Sequence, residues 1–233
     1  ILRLSVMDND IDLFEGQYPV PDGVSYNSYL IEDEQLCLLD TVDARKQDEW
    51  LDGLNEALDG RKLDYLVISH MEPDHAGSIA ALCARQPQVK LVANAKTFVM
   101  LDQFTGEHPL VQERITVGEG GTLALGSHTL HFVLAPMVHW PEVMVAYEDS
   151  QKVLFSADGF GNFGSLTYTD AWADEARRYY CNIVGKYGVQ VQGLLKKAAA
   201  LDIQTVCPLH GPQLSGDALT RALALYSLWA AWK

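Results

Sequence analysis

Apolar and polar positions switch between two periods along this chain. Short β-type runs occupy residues 2–6, 24–31 and 37–39, and the last two flank the polar turn Glu32-Asp33-Glu34, a pattern that predicts a hairpin. Between residues 46 and 58 the apolar side chains Trp50, Leu51, Leu54 and Leu58 recur at helical spacing, and Asp59-Gly60 supplies a stop. A continuous apolar run of strand length follows at 64–69, then the polar segment His70-Met-Glu-Pro-Asp-His75, then a helix predicted over 77–85. That is a strand, a loop and a helix. The alternation continues with a strand at 90–93 and a helix at 95–103, then gives way to closely spaced β-type runs at 114–117, 122–125, 128–134, 144–148 and 153–156. These predict an antiparallel meander. Helical spacing returns from 171 to 201, interrupted near Gly185 and Gly188, before a strand at 205–207 and a helix from 217 onward. Helices thus fall in two groups around β-rich stretches, with no repeat or linker between them. The prediction is one domain over residues 1–233 with an α/β architecture: two sheets packed face to face, helices outside, four layers in all.

Composition narrows the function classes. With 48% apolar residues in 233, the chain can bury one sizeable core, which excludes disorder as its main state. Thirty-one acidic residues against 17 basic ones give a net charge of −14, which argues against nucleic-acid binding and reads as a solvated acidic surface. No apolar run reaches the roughly 18 residues that cross a bilayer. The start, Ile1-Leu-Arg-Leu-Ser-Val-Met-Asp8, lacks the basic head and cleavage site of a signal peptide. The expectation is a soluble, cytoplasmic protein. The four cysteines, Cys37, Cys83, Cys181 and Cys207, form no Cys-x-x-Cys pair and read as small hydrophobes in a reducing compartment. A first residue other than Met and a last segment with helical spacing predict a piece of a longer protein.

The chemistry concentrates after the strand at 64–69. Of seven histidines, His70 and His75 lie with Glu72 and Asp74 inside six residues. A loop at a strand end can turn alternate side chains toward one point, and imidazole nitrogen with carboxylate oxygen suits a transition metal. Such sites draw ligands from several loops. His139, Asp158 and His210 each follow a later strand-like run, which predicts a shared site on one rim of the sandwich.

This set resembles the metal ligands of the metallo-β-lactamase superfold, and in detail those of its flavodiiron branch, the A-type flavoproteins that reduce dioxygen or nitric oxide. The resemblance extends through Val24-Ser-Tyr-Asn-Ser-Tyr-Leu-Ile31, Pro136-Met-Val-His-Trp-Pro141, Phe155-Ser-Ala-Asp-Gly-Phe-Gly161 and Tyr179-Tyr-Cys-Asn-Ile-Val-Gly-Lys186. It implies a metallo-β-lactamase-like αββα sandwich and two iron ions. His70, Glu72 and His139 would hold the first, Asp74, His75 and His210 the second, with Asp158 bridging. Glu72 stands where zinc hydrolases of the superfold usually carry a histidine, and its hard anionic oxygen shifts the site toward iron. Tyr180 matches a tyrosine near the family's site, although its helical stretch also suits a core aromatic, and Trp140 either keeps the pocket dry or simply packs.

The family continues into a flavodoxin-like domain that binds FMN, whereas no phosphate-binding loop of flavodoxin type occurs in this sequence. The resemblance therefore implies electrons delivered by FMN from a domain or partner outside this chain, and a head-to-tail homodimer. Two ferrous ions suffice to couple two NO, while reduction of O2 to water needs two further electrons. A binuclear zinc hydrolase and a non-catalytic metal-binding module are the competing readings.

Overall fold

The computed structural model describes residues 1–232. Strand β1 (Leu2–Asp8) is followed by a separate hairpin of β2 (Leu13–Phe14) and β3 (Tyr18–Pro19), then by β4 (Val24–Ile31) and β5 (Cys37–Leu39). Helix α1 (Gln47–Leu58) leads to β6 (Tyr65–Val67), α2 (Pro73–Ala76), α3 (Ile79–Arg85), β7 (Lys90–Asn94), α4 (Ala95–Thr105) and β8 (Arg114–Val117). The first sheet has the order β1-β4-β5-β6-β7-β8, antiparallel from β1 to β5 and parallel beyond. The meander supplies β9 (Thr122–Ala124), β10 (Thr129–Leu134), β11 (Met144–Glu148) and β12 (Val153–Phe155). After α5 (Trp172–Ile183) and α6 (Gly188–Ala198) come β13 (Thr205–Cys207), β14 (Leu214–Ser215) and α7 (Gly216–Ala230). The second sheet is ordered β14-β13-β12-β11-β10-β9.

The layering follows from the period of two in a strand. Tyr29, Ile31, Cys37, Leu39, Tyr65 and Val67 of the first sheet share one core with Met144, Ala146, Val153, Phe155 and Cys207 of the second. Their alternates Leu30, Leu38, Leu66, Val145, Leu154 and Val206 join the helical residues Trp50, Leu54, Trp172, Ala176, Leu219 and Tyr226 in the other. Strands buried on both faces read as continuous apolar runs, and helices must cover their outer sides. The predicted four-layer α/β sandwich is therefore the observed fold. On α1 the four helically spaced residues are all buried, and Trp50 Nε1 donates to Ser28 Oγ at 2.8 Å.

Two features escaped the sequence pattern. The hairpin β2–β3 and strand β14 have two residues per strand, too few to show alternation. The segment after β6 is not all loop: Pro73 opens the one-turn helix α2, where its fixed φ and missing N–H cost nothing. The interruption predicted near Gly185 and Gly188 is present: the helical stretch resolves into α5 and α6 around a short 3₁₀ turn at Gly185–Tyr187.

Candidate metal centre

Because β11 runs antiparallel to both β10 and β12, and β13 parallel to β12, the chain leaves β10, β12 and β13 at the same edge of the second sheet. The loops there carry His139, Asp158 and His210. They meet the segment His70–His75 that leaves β6 of the first sheet. The backbone of that segment is pinned where it turns: Thr41, just beyond β5, donates from Oγ1 (2.5 Å) and N (3.1 Å) to the His75 carbonyl.

All seven predicted ligands are buried and converge in two groups, His70, Glu72, His139 and Asp158 in one and Asp74, His75 and His210 in the other. In the first, Glu72 Oε2 lies 3.2 Å from His70 Nε2 and 2.9 Å from His139 Nε2, and Asp158 Oδ2 lies 3.2 and 3.1 Å from the same nitrogens. In the second, Asp74 Oδ2 is 3.4 Å from His75 Nε2 and 3.2 Å from His210 Nε2. Asp158 Oδ1 completes it at 3.0 and 3.6 Å from those nitrogens. One carboxylate therefore presents an oxygen to each group. Donors about 2.1 Å from a common ion stand roughly 3.0–3.4 Å apart, so both groups have the edge lengths of a coordination shell. Asp74 Oδ1 and Oδ2, Asp158 Oδ2 and His210 Nε2 are buried without a hydrogen-bond partner among the described residues, a costly arrangement that a pair of cations relieves. The residues fit two metal ions.

The electrostatics agree. Burial opposes charge on His70, yet Asp158, Glu142 and Glu72 hold its pKa well above the usual imidazole value. Burial also opposes charge on His75, which Asp74 and Asp158 push up to about 9, and on His139, which Asp158 and Glu72 push up to about 9. Against burial, His139 and His70 pull Glu72 below the ordinary carboxylate range, and His75, His139 and His70 pull Asp158 well below it. Protons on the imidazoles thus offset the buried carboxylates in the metal-free protein, and cations replace them on binding.

Several contributors were not legible in the sequence. Glu142 Oε1 accepts from His70 Nδ1 at 2.7 Å, and the Ser25 carbonyl accepts from His210 Nδ1 at 2.7 Å, so each ring turns Nε2 toward the site. Buried Asp40 accepts from the Ser69 N–H at 2.7 Å; its pKa rises to about 6, since burial outweighs that bond. Glu15, in the β2–β3 turn, reaches Glu72, and burial together with Glu72 pushes its pKa up to about 7. With Ile11, Phe14 and Arg45 it lines a cavity of about 310 Å³ that opens onto Glu72 and Asp74.

Tyr180 is not brought to the ligands. Its ring packs on Tyr226 and Trp229, with centroids 5.1 and 5.5 Å away. The helical tyrosine beside the site is Tyr179, with its ring centroid 5.6 Å from that of His210, because successive helical residues diverge by about 100°; Tyr26 of β4 packs on the same imidazole at 5.9 Å. Trp140 stands edge-on to His70 at 5.2 Å and screens that side.

A double-sheet sandwich with paired His and carboxylate donors on one rim defines a metallo-β-lactamase-like domain. Residues 24–211 match the family model described as ODP family beta lactamase, and the chain belongs to this family. Its relatives are flavodiiron proteins. Rubredoxin-oxygen oxidoreductase of Megalodesulfovibrio gigas is 35% identical over 233 residues, a match covering 94% of this chain and 57% of that protein. The anaerobic nitric oxide reductase flavorubredoxin of Pectobacterium atrosepticum is 33% identical, with 96% and 45% covered. The crystal structure of the flavodiiron protein from Giardia intestinalis superposes with a TM-score of 0.91 at 29% identity, covering 98% of this chain and 57% of that one. The chain thus spans about half the length of these relatives.

Proposed function

We propose that this chain is the metal-bearing catalytic domain of a flavodiiron-type oxidoreductase that reduces dioxygen to water, nitric oxide to nitrous oxide, or both. The observation that carries this reading is Asp158, whose two oxygens face separate donor groups, together with Glu72, which gives the first group a second carboxylate. Hard, anionic oxygen beside imidazole suits iron. An iron pair, when bound, supplies two reducing equivalents to a small substrate. His70, Glu72 and His139 would hold one ion and Asp74, His75 and His210 the other, with Asp158 between them. Glu72, Asp74 and Asp158 offset three of the four charges of a diferrous pair, which leaves little field against uncharged O2 or NO. Phe14 and Trp140 cover the imidazoles and exclude bulk water, while the cavity at Glu72 and Asp74 admits the substrate.

The balance is two NO, two electrons and two protons to N2O and water, or O2, four electrons and four protons to two waters. The second demands more than the pair holds. Electrons therefore come from FMN on a domain or partner outside this chain, in keeping with the greater length of the relatives and with their names, an oxygen oxidoreductase and a nitric oxide reductase. A head-to-tail dimer would bring such a flavin to the metal cavity of the opposite copy. The four unpaired cysteines suit a cytoplasmic location. No helix among the described residues is long and apolar enough to cross a membrane.

The test is anaerobic purification from iron-replete cells without chelators, followed by metal analysis and a single addition of NO. About two irons per chain and stoichiometric N2O are expected. Two zincs per chain with no NO consumed would overturn the reading in favour of a hydrolase.

A further inference from the structure

The two donor groups are supported unequally from behind. His70 Nδ1 donates to a carboxylate, Glu142 Oε1 at 2.7 Å, with neither side chain exposed. His210 Nδ1 donates to a neutral carbonyl, and His75 Nδ1 has no partner among the described residues. The same Glu142 oxygen accepts the Met71 N–H at 2.9 Å, which fixes the backbone between the ligands His70 and Glu72. Glu142 is itself held: Asn94 Nδ2 donates to its carbonyl at 2.6 Å, and Asn94 Oδ1 caps α4 by accepting from the N–H groups of Lys96 and Thr97. An anionic acceptor at Nδ1 raises the basicity of an imidazole at Nε2, while a carbonyl does so less.

We propose that Glu142 is a positioning residue that makes the two metal sites unequal, so that the group of His70, Glu72, His139 and Asp158 binds its ion first and more tightly. This rests on the two-metal reading above. Glu142 belongs to neither donor group and acts through His70 and the Met71 backbone.

The test is an anaerobic Co2+ titration of the metal-free chain, followed by the visible absorption of the bound ion, in wild type and in Glu142→Gln. The substitution keeps an oxygen for both N–H donors and removes the charge. Wild type should fill in two unequal steps, and Glu142→Gln should weaken the tighter step by about 10- to 100-fold while leaving the weaker one within about threefold, so that the steps merge. Wild-type steps in the variant, or an equal weakening of both, would overturn the proposal. Uptake of fewer than two Co2+ by wild type would overturn the two-metal reading and this inference with it. A measurement on the unsubstituted chain guards against a variant that fails to fold. With Zn2+ bound, the Nδ1 proton of His70 should resonate downfield of that of His210, and the reverse order would reject the carboxylate's role.

Discussion

Asp158 is the single side chain shared by the two donor groups, so Asp158→Asn should separate metal pairing from folding. The amide keeps its size and loses its charge. Affinity for the second ion should fall by at least about 100-fold, while the circular dichroism of the metal-free protein stays unchanged. Metal content per chain checks this, and an unchanged pair of ions would refute it. His75 and His139 set a pH dependence. Both are raised to about 9 in the metal-free fold, against an ordinary value near 6.5. The stability they contribute is then full below about pH 6.5 and disappears as pH rises through about 9. Metal-free protein should melt at a lower temperature at pH 9.5 than at pH 6.5, as a thermal scan in chelator would show. Metal uptake has the opposite slope, because the imidazoles must shed their protons first, and calorimetry at pH 7 in two buffers should register that release.

At the scale of elements, two glycines contrast. A Cβ at Gly77, which ends α2, would lie 2.6 Å from the Pro73 carbonyl oxygen and 2.9 Å from the Ala44 nitrogen, both backbone atoms that cannot step aside. Gly77→Ala should therefore cost about 1–3 kcal/mol and disturb Asp74 and His75 on the same turn. Gly53 lies inside α1 with nothing within 4 Å of the same position. There Gly53→Ala should stabilise by about 0.5–1 kcal/mol through helix propensity alone. Urea denaturation of the two variants reads both signs.

At the scale of the molecule, the ligands come from both sheets: the segment after β6 on one side, the loops after β10, β12 and β13 on the other. A bound ion pair therefore cross-links the sandwich. Metal at about 100 times its dissociation constant should add about 2.7 kcal/mol for each site filled, and a chelator should lower the melting temperature accordingly. The proposed diiron centre carries a limit of its own: with no electron donor added, iron-loaded protein should consume NO once per metal pair and stop, and sustained turnover should appear only with a reduced flavin donor.

What the sequence determined is local. Helical spacing in α1, the apolar run at β6 and each strand of the meander are encoded within about a dozen residues, and backbone sterics translate such patterns directly. The crowding of His70, Glu72, Asp74 and His75 was legible for the same reason, and the strand ends pointed to His139, Asp158 and His210. What the tertiary structure decided is every relation across the sheets. His70 and Glu142 are 72 positions apart, and no periodicity couples them. Tyr179 rather than Tyr180 faces His210 because α5 docks with one particular rotation about its axis, which a one-residue error in reading reverses. Glu15 reaches Glu72 only because a hairpin of two-residue strands folds over the rim. The division of Asp158 between two donor groups likewise depends on how one sheet packs on the other. Local pattern fixes which side chains leave a strand end together, and only the packing of distant elements fixes which oxygen faces which nitrogen.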